Sequence, residues 1–144
     1  MQGNMNRLVL ICFLAALTQE VWAGKLQTPA YTPGLGEIMS LTEARHAKLW
    51  RAVQQQNWLL ASYELDELKE GLDDAIKFHP RHKTVPQPLA KIIPALLNQP
   101  LANIARAIDT KDTALFTQGY DKLTEGCNAC HKASGFGFIT VTKP

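Results

Sequence analysis

The sequence predicts an all-α protein, an antiparallel four-helix bundle, and three observations lead to this prediction. Four segments repeat apolar residues at the i, i+3, i+4 spacing of an amphipathic helix. The connections between these segments are short, which favours antiparallel neighbours in a bundle. Alternation of apolar and polar residues, the pattern of a half-buried strand, occurs only near the C-terminus, over residues 138–142.

Residues 1–23 have the pattern of a secretory signal peptide. Arg7 precedes an unbroken apolar run over residues 8–17, and Ala23 completes a cleavage site with small residues at positions −3 and −1. The apolar run is half as long as the roughly 20 residues that a membrane-spanning helix needs. We therefore expect cleavage after Ala23, export to the periplasm, and a mature domain over residues 24–144 that does not associate with a membrane.

Two helices are predicted in the first half of this domain, after an extended segment over residues 24–36. The first helix covers about 37–55 and the second about 58–78, and Pro80 ends the second because it cannot continue a helix. The face of the first helix consists of Ile38, Thr42, Arg45, Leu49, Ala52 and Val53, with Met39, His46 and Trp50 at its edge. The face of the second consists of Ala61, Leu65, Leu68, Leu72, Ala75 and Ile76.

Two more helices are predicted in the second half. The third covers about 89–108 and is expected to be kinked or split at Pro94 and Pro100. The fourth covers about 113–131, with Asp112 as its N-cap. Its apolar face consists of Phe116, Tyr120, Leu123, Cys127 and Cys130. The bundle thus spans about 37–131, and residues 132–144 form a C-terminal tail without an assigned role.

The cysteines point to the chemistry of the protein. Of three cysteines, Cys12 lies in the predicted signal peptide, so the mature chain keeps Cys127 and Cys130. These two belong to the sequence CNACH, which ends at His131 and is the C-x-x-C-H attachment motif of c-type haem. Thiols three residues apart share one side of a helix, where each can add to a haem vinyl group. His131 can then bind the iron. The single motif predicts one covalently bound haem c.

Three other interpretations of the cysteines are weaker. A thioredoxin-like C-x-x-C would lie near a βαβ pattern, which this sequence lacks. A zinc site needs four ligands, and Cys127, Cys130 and His131 are too close together for the usual spacing. A disulfide between the two cysteines is compatible with export.

The net charge of +2 argues against a nucleic-acid partner, which would require a more basic chain.

The position of the motif on the last of four helices resembles the class II c-type cytochromes, the cytochrome c-prime group. The resemblance covers nearly all of the mature chain. It implies that the first helix faces the distal side of the haem, where Arg45 matches an arginine near a propionate and Leu49 matches the distal residue. It also implies a homodimer through the first two helices. Taken literally, it predicts a five-coordinate iron.

The sixth iron ligand remains open between few residues. The mature chain offers Met39, His46, His79 and His82. Because helical side chains tilt toward their own N-terminus, His46 is favoured slightly over Met39, and an open or Leu49-covered iron is the third alternative. Two strong axial ligands suit an electron carrier that exchanges electrons with redox partner proteins. An open position suits binding of a small gas such as NO or CO. No acid–base pair or nucleophile suggests an enzyme, so no catalytic residue is predicted.

Overall fold

The computed structural model describes residues 31–82 and 85–144, and in this part of the chain the protein is all-α. Its four helices are α1 (Leu35–Gln54), α2 (Trp58–Phe78), α3 (Leu89–Asp109) and α4 (Thr113–Ala133). Helical structure with four helices is therefore confirmed, and the described residues contain no strand, including the alternating segment 138–142. The predicted signal peptide, with Cys12, lies outside the described residues.

Contacts between α1 and its neighbours show the directions of the helices. Along α1, Arg45 pairs with Glu67 of α2 at 2.8 Å, and Lys48 lies 3.9 Å from Glu64. Rising numbers in α1 therefore match falling numbers in α2, so the two helices are antiparallel. The same holds for α1 and α4, because His46 contacts Thr124 whereas Trp50, one turn later, packs against Phe116.

Two glycines of α4 show that α3 and α4 are also antiparallel and closely packed. Gly119 lies against Ile104, whereas Gly126 lies against Leu97. A Cβ atom at Gly126 would be 2.7 Å from Leu97 Cδ2 and 2.9 Å from the Leu96 carbonyl oxygen. That carbonyl has no helical donor because Pro100 has no N–H. A glycine immediately before Cys127 thus allows the motif-bearing part of α4 to approach α3.

The helix ends agree largely with the sequence prediction, with one correction in α3. Asp112 caps α4 by accepting the Leu115 N–H at 2.9 Å, as predicted, and Asn57 caps α2 in the same way. However, α3 is not split at Pro94 or Pro100. The missing N–H groups are tolerated because α3 buries apolar side chains before, between and after the prolines.

The core lies between the four helices and contains most of the predicted apolar faces. Its largest fully buried apolar side chains are Leu49, Val53, Leu68, Leu97, Ile104, Phe116, Tyr120 and Leu123. Arg45, placed on the face of the first helix by its spacing, is only half-buried. Within residues 31–82 and 85–144, no helix combines the length and the apolarity that crossing a bilayer needs.

Candidate functional site

An apolar cavity of about 400 Å³ lies at the end of the bundle where α4 ends. Its volume is within the range of roughly 300–1,000 Å³ that is typical of ligand and cofactor sites. All four helices, the loop before α3 and the C-terminal tail contribute to its walls. The aliphatic side chains of the lining are Leu35, Leu68, Leu72, Val85, Leu89, Ile93, Leu97, Ile139 and Val141.

The three residues of the haem-attachment motif lie together on one wall of this cavity. Cys127, Cys130 and His131 all line it from the last turns of α4. The two thiols are free, and both side chains are half-buried against the core. The helical spacing that the sequence predicted is therefore present, and it directs all three groups into a single apolar space.

The surroundings of the two thiols disfavour the charged thiolate form. Burial, reinforced by the neighbouring Cys130, raises the pKa of the Cys127 thiol to about 12. Burial also raises the pKa of the Cys130 thiol. A redox-active C-x-x-C pair instead depends on a lowered thiol pKa that supplies thiolate near neutral pH. The site consequently lacks the electrostatic feature that a thioredoxin-like dithiol needs.

The imidazole of His131 has one nitrogen engaged by the protein. Its Nδ1 atom lies 3.0 Å from the carbonyl oxygen of Ile139. Because a carbonyl oxygen only accepts hydrogen bonds, Nδ1 carries the proton and donates it. In the neutral ring, the lone pair is then on Nε2. This arrangement, with Nδ1–H on a carbonyl and Nε2 free to coordinate, is common among metal-binding histidines.

The Ile139 carbonyl belongs to residues 134–144, which we name the C-terminal strap. The strap turns back at Gly135, whose φ of 81° suits a glycine, and then follows α4. Asn128 donates to the Val141 carbonyl at 2.9 Å and accepts the Val141 N–H at 2.8 Å. Near its end, Lys143 forms an ion pair with Asp121. The strap was not assigned a role from the sequence, and only the alternation over residues 138–142 hinted at it.

His46, the favoured sixth ligand, is at the edge of the cavity and is almost completely buried, with 2% of its surface exposed. Its Nε2 lies 2.9 Å from the Thr124 hydroxyl, and its Nδ1 lies 2.9 Å from the Tyr120 hydroxyl. The Tyr120 hydroxyl also donates to the His46 carbonyl at 2.8 Å, and the two rings stack. In the neutral ring, Nε2 donates to the Thr124 hydroxyl, whose own proton goes to the Tyr120 carbonyl, and Nδ1 shares the single Tyr120 hydroxyl proton with the His46 carbonyl.

Burial has a clear effect on the titration of this histidine. It lowers the pKa of His46 to about 4, so the ring is neutral near pH 7. Burial also raises the pKa of Tyr120. Neither Tyr120 nor Thr124 was identified from the sequence as a partner of His46. The available signal was that a buried tyrosine and a buried histidine each need a polar partner.

The two residues that the family resemblance placed on the distal side, Arg45 and Leu49, do not line the cavity. Arg45 does not line the cavity, because its guanidinium binds both the carbonyl and the carboxylate of Glu67 on α2. Leu49 is fully buried in the core and does not line the cavity either. Met39, the second candidate ligand, does line the cavity and is half-buried.

Two further histidines were considered from the sequence. His79 is held away from the cavity lining, with its Nε2 atom 2.8 Å from the Pro33 carbonyl oxygen. His82 lines the cavity, and its ring centre is 5.7 Å from that of Phe136 in the strap. The structure therefore brings Met39, His46, His82 and His131 to one cavity and leaves His79 outside it.

The chain matches no family model, no curated protein and no solved structure. In the part of the chain that the structure describes, no three His, Cys, Asp or Glu side chains form a group that could hold a bare metal ion. The residues present nevertheless fit a haem: two free thiols, an imidazole with its lone pair on Nε2, and an aliphatic space lie together. The resemblance to class II c-type cytochromes stays an expectation that rests on the motif and its position.

Proposed function

We propose that the protein is an exported monohaem c-type cytochrome that transfers electrons. Cys127 and Cys130 would hold one haem c through thioether bonds, and His131 would bind its iron through Nε2. The observation that carries the proposal is that these three side chains line one apolar cavity of about 400 Å³. When bound, haem supplies reversible one-electron chemistry. The signal peptide that the sequence predicts over residues 1–23 agrees with haem attachment outside the cytoplasm.

We propose Met39 as the second axial ligand. Both nitrogens of His46 lie 2.9 Å from a hydroxyl oxygen, so binding of iron by His46 would require the loss of one of these buried contacts, which costs about 1–3 kcal/mol. On α1, cavity-lining residues lie one turn before Met39, at Leu35, and one turn after it, at Glu43. Met39 is thus central in the α1 wall, whereas His46 is the last residue of that wall. A histidine–methionine pair is the ligand set of electron-transferring cytochromes c.

The family resemblance supports a second candidate, a protein that binds a small gas at an open iron position. The gas-binding candidate relies on Leu49 as the residue that covers the iron, and it is weakened because Leu49 does not line the cavity. The two functions make opposite demands on Met39. A carrier needs its thioether on the iron in both oxidation states, whereas a gas-binding protein needs that position vacant.

The first experiment tests haem attachment. The full chain is expressed in a bacterium that exports proteins and matures c-type cytochromes, and the product is run on a denaturing gel stained for haem. We expect covalent haem in the wild type and its loss in the Cys127→Ser/Cys130→Ser double variant. Ala129→Ser, an exposed position inside the motif, is the control and should keep the haem. A wild-type protein without covalent haem contradicts the proposal.

The second experiment separates the carrier from the gas-binding protein. Absorption spectra of the ferrous protein are recorded with and without carbon monoxide. We expect a low-spin spectrum that carbon monoxide leaves unchanged, and a Met39→Leu variant that becomes high-spin and binds the gas. His82→Gln is the control because His82 lines the same cavity. A wild-type protein that binds carbon monoxide supports the gas-binding function. If only the His82→Gln variant becomes high-spin, Met39 is not the second axial ligand.

A further inference from the structure

The C-terminal strap runs antiparallel to α4 and is attached to it near the motif. His131 Nδ1 donates to the Ile139 carbonyl at 3.0 Å, and Asn128 forms two hydrogen bonds with the backbone of Val141, at 2.8 and 2.9 Å. From the first contact to the second, the residue number rises from 139 to 141 in the strap and falls from 131 to 128 in α4. The contact of His131 is therefore part of a register between the strap and the helix.

The far end of the strap continues this register. Lys143 pairs with Asp121, and its ammonium group lies 4.6 Å above the ring of Trp50. From residue 139 to 143, an extended chain covers about 13 Å at roughly 3.3 Å per residue. From residue 131 to 121, a helix covers about 15 Å at 1.5 Å per residue. The two lengths agree, so an extended strap reaches both attachments without distortion.

The position of the Ile139 carbonyl is determined by backbone bonds, not by the Ile139 side chain. That side chain is 42% exposed and contributes little burial. On one side, the Ile139 N–H donates to the Phe136 carbonyl at 2.9 Å, which closes a turn. On the other side, Val141 is buried, and Asn128 satisfies both of its backbone groups. The carbonyl that faces His131 is thus held from both directions along the chain.

We propose that the C-terminal strap is a positioning element for His131. The strap is then a determinant of the haem reduction potential, an inference that rests on the proposed function. A histidine whose second nitrogen donates to a carbonyl has a fixed tautomer and orientation, and it is a more basic metal ligand. A more basic axial ligand stabilises ferric over ferrous iron. The strap therefore lowers the potential, and its release raises it.

The proposal is tested by redox titration of four haem-bearing proteins beside the wild type. A chain ending at Phe138 lacks the Ile139 carbonyl and should have the largest rise in potential. Asn128→Ala keeps the whole strap but loses both bonds to Val141, and it should have a smaller rise. Thr142→Ala, at an exposed strap position, should have the wild-type potential.

The fourth variant, Lys143→Ala, separates positioning from stability. It removes the ion pair with Asp121 far from His131, so it should lower the thermal midpoint without a change in potential. If the truncated chain does not accumulate, Asn128→Ala decides the question. The positioning role alone is overturned if Asn128→Ala has the same potential as the wild type. It is also overturned if the potential of Lys143→Ala rises as much as that of Asn128→Ala. A wild type without covalent haem overturns the proposed function and this role together.

Discussion

Helices α1 and α4 both line the cavity, and each contributes a histidine to it, but the two histidines have different surroundings. On α4, His131 has one nitrogen bonded to the Ile139 carbonyl and the other available. On α1, His46 has hydroxyl groups at 2.9 Å from both of its nitrogens. Both residues line the same cavity, and both were candidate iron ligands from the sequence. His131 has one nitrogen in contact with the protein, and His46 has two. This difference, which depends on residues distant in the sequence, makes His131 better suited to bind a metal.

The partners of the two histidines explain why this difference is stable. Tyr120 and Thr124 lie one turn apart on α4, and both face the ring of His46 across the bundle. Their hydroxyls are held in turn, because Thr124 donates to the Tyr120 carbonyl at 3.0 Å and Tyr120 donates to the His46 carbonyl. His131 instead contacts a single acceptor, the Ile139 carbonyl. His46 is therefore part of a buried polar network that contacts both of its nitrogens, whereas His131 donates through Nδ1 and has no protein partner at Nε2 among the described residues.

The largest effect should come from removing the available histidine. In the haem-bearing protein, His131→Gly eliminates an axial ligand, so we expect loss of the attached haem or a complete change of its absorption spectrum. His46→Gln should leave the axial ligands and the low-spin spectrum unchanged. Absorption spectra of the two purified variants check this. An altered spin state in His46→Gln would instead identify His46 as the distal ligand, and the two histidines would then no longer differ in their ability to bind iron.

The next effect concerns the dependence of stability on pH. The pKa of His46 is about 4 in the folded protein, against an ordinary value of 6.5. Between these pH values the unfolded state binds the proton more readily, so stability is full above about pH 6.5 and is lost as the pH falls toward 4. The loss should be about 3 kcal/mol. Urea unfolding at several pH values measures it.

The matched measurement uses His46→Gln, which has no titrating ring. Carboxylates also titrate toward pH 4, so the contribution of His46 is the difference between the two pH profiles. We expect the free energy of unfolding of His46→Gln to fall less steeply over this range. Parallel profiles for wild type and variant would show that His46 is not neutralised by burial.

The smallest effect concerns the partner of His46. Tyr120→Phe removes a fully buried hydroxyl and leaves the His46 carbonyl and ring nitrogen without that contact. We expect a loss of about 1–2 kcal/mol in the free energy of unfolding. Tyr63→Phe is the control, because Tyr63 is 57% exposed, and it should change stability by less than about 0.5 kcal/mol. Equal effects of the two substitutions would mean that the network around His46 contributes nothing specific.

Much of the fold could be predicted from local patterns. The bounds of α2 agree with its apolar spacing and with the stop at Pro80, and Asp112 caps α4 as expected. Of the two expectations for α3, a kink or a split, the split is wrong, because burial on both sides of Pro94 and Pro100 outweighs the lost hydrogen bonds. Local propensity is a weak guide where tertiary packing is extensive.

The candidate site was predictable only in part. The C-x-x-C-H spacing placed Cys127, Cys130 and His131 together because a helix brings residues three apart onto one side. The distal side had no comparable local rule. Whether Arg45 faces a cofactor or Glu67 depends on α2, and whether His46 is available depends on α4. These are contacts between residues more than 20 positions apart, which a periodic pattern does not encode.

The sequence alone determined the helical class, the order of the four helices and the cluster of two thiols and an imidazole, since each depends on spacing within one helix. Tertiary structure decided which histidine nitrogen is available, where Arg45 and Leu49 lie, and how the last residues are used. The physical reason is that a buried polar atom must find a partner, and its partner can come from any part of the chain that folding brings near. For His131, that partner is the Ile139 carbonyl.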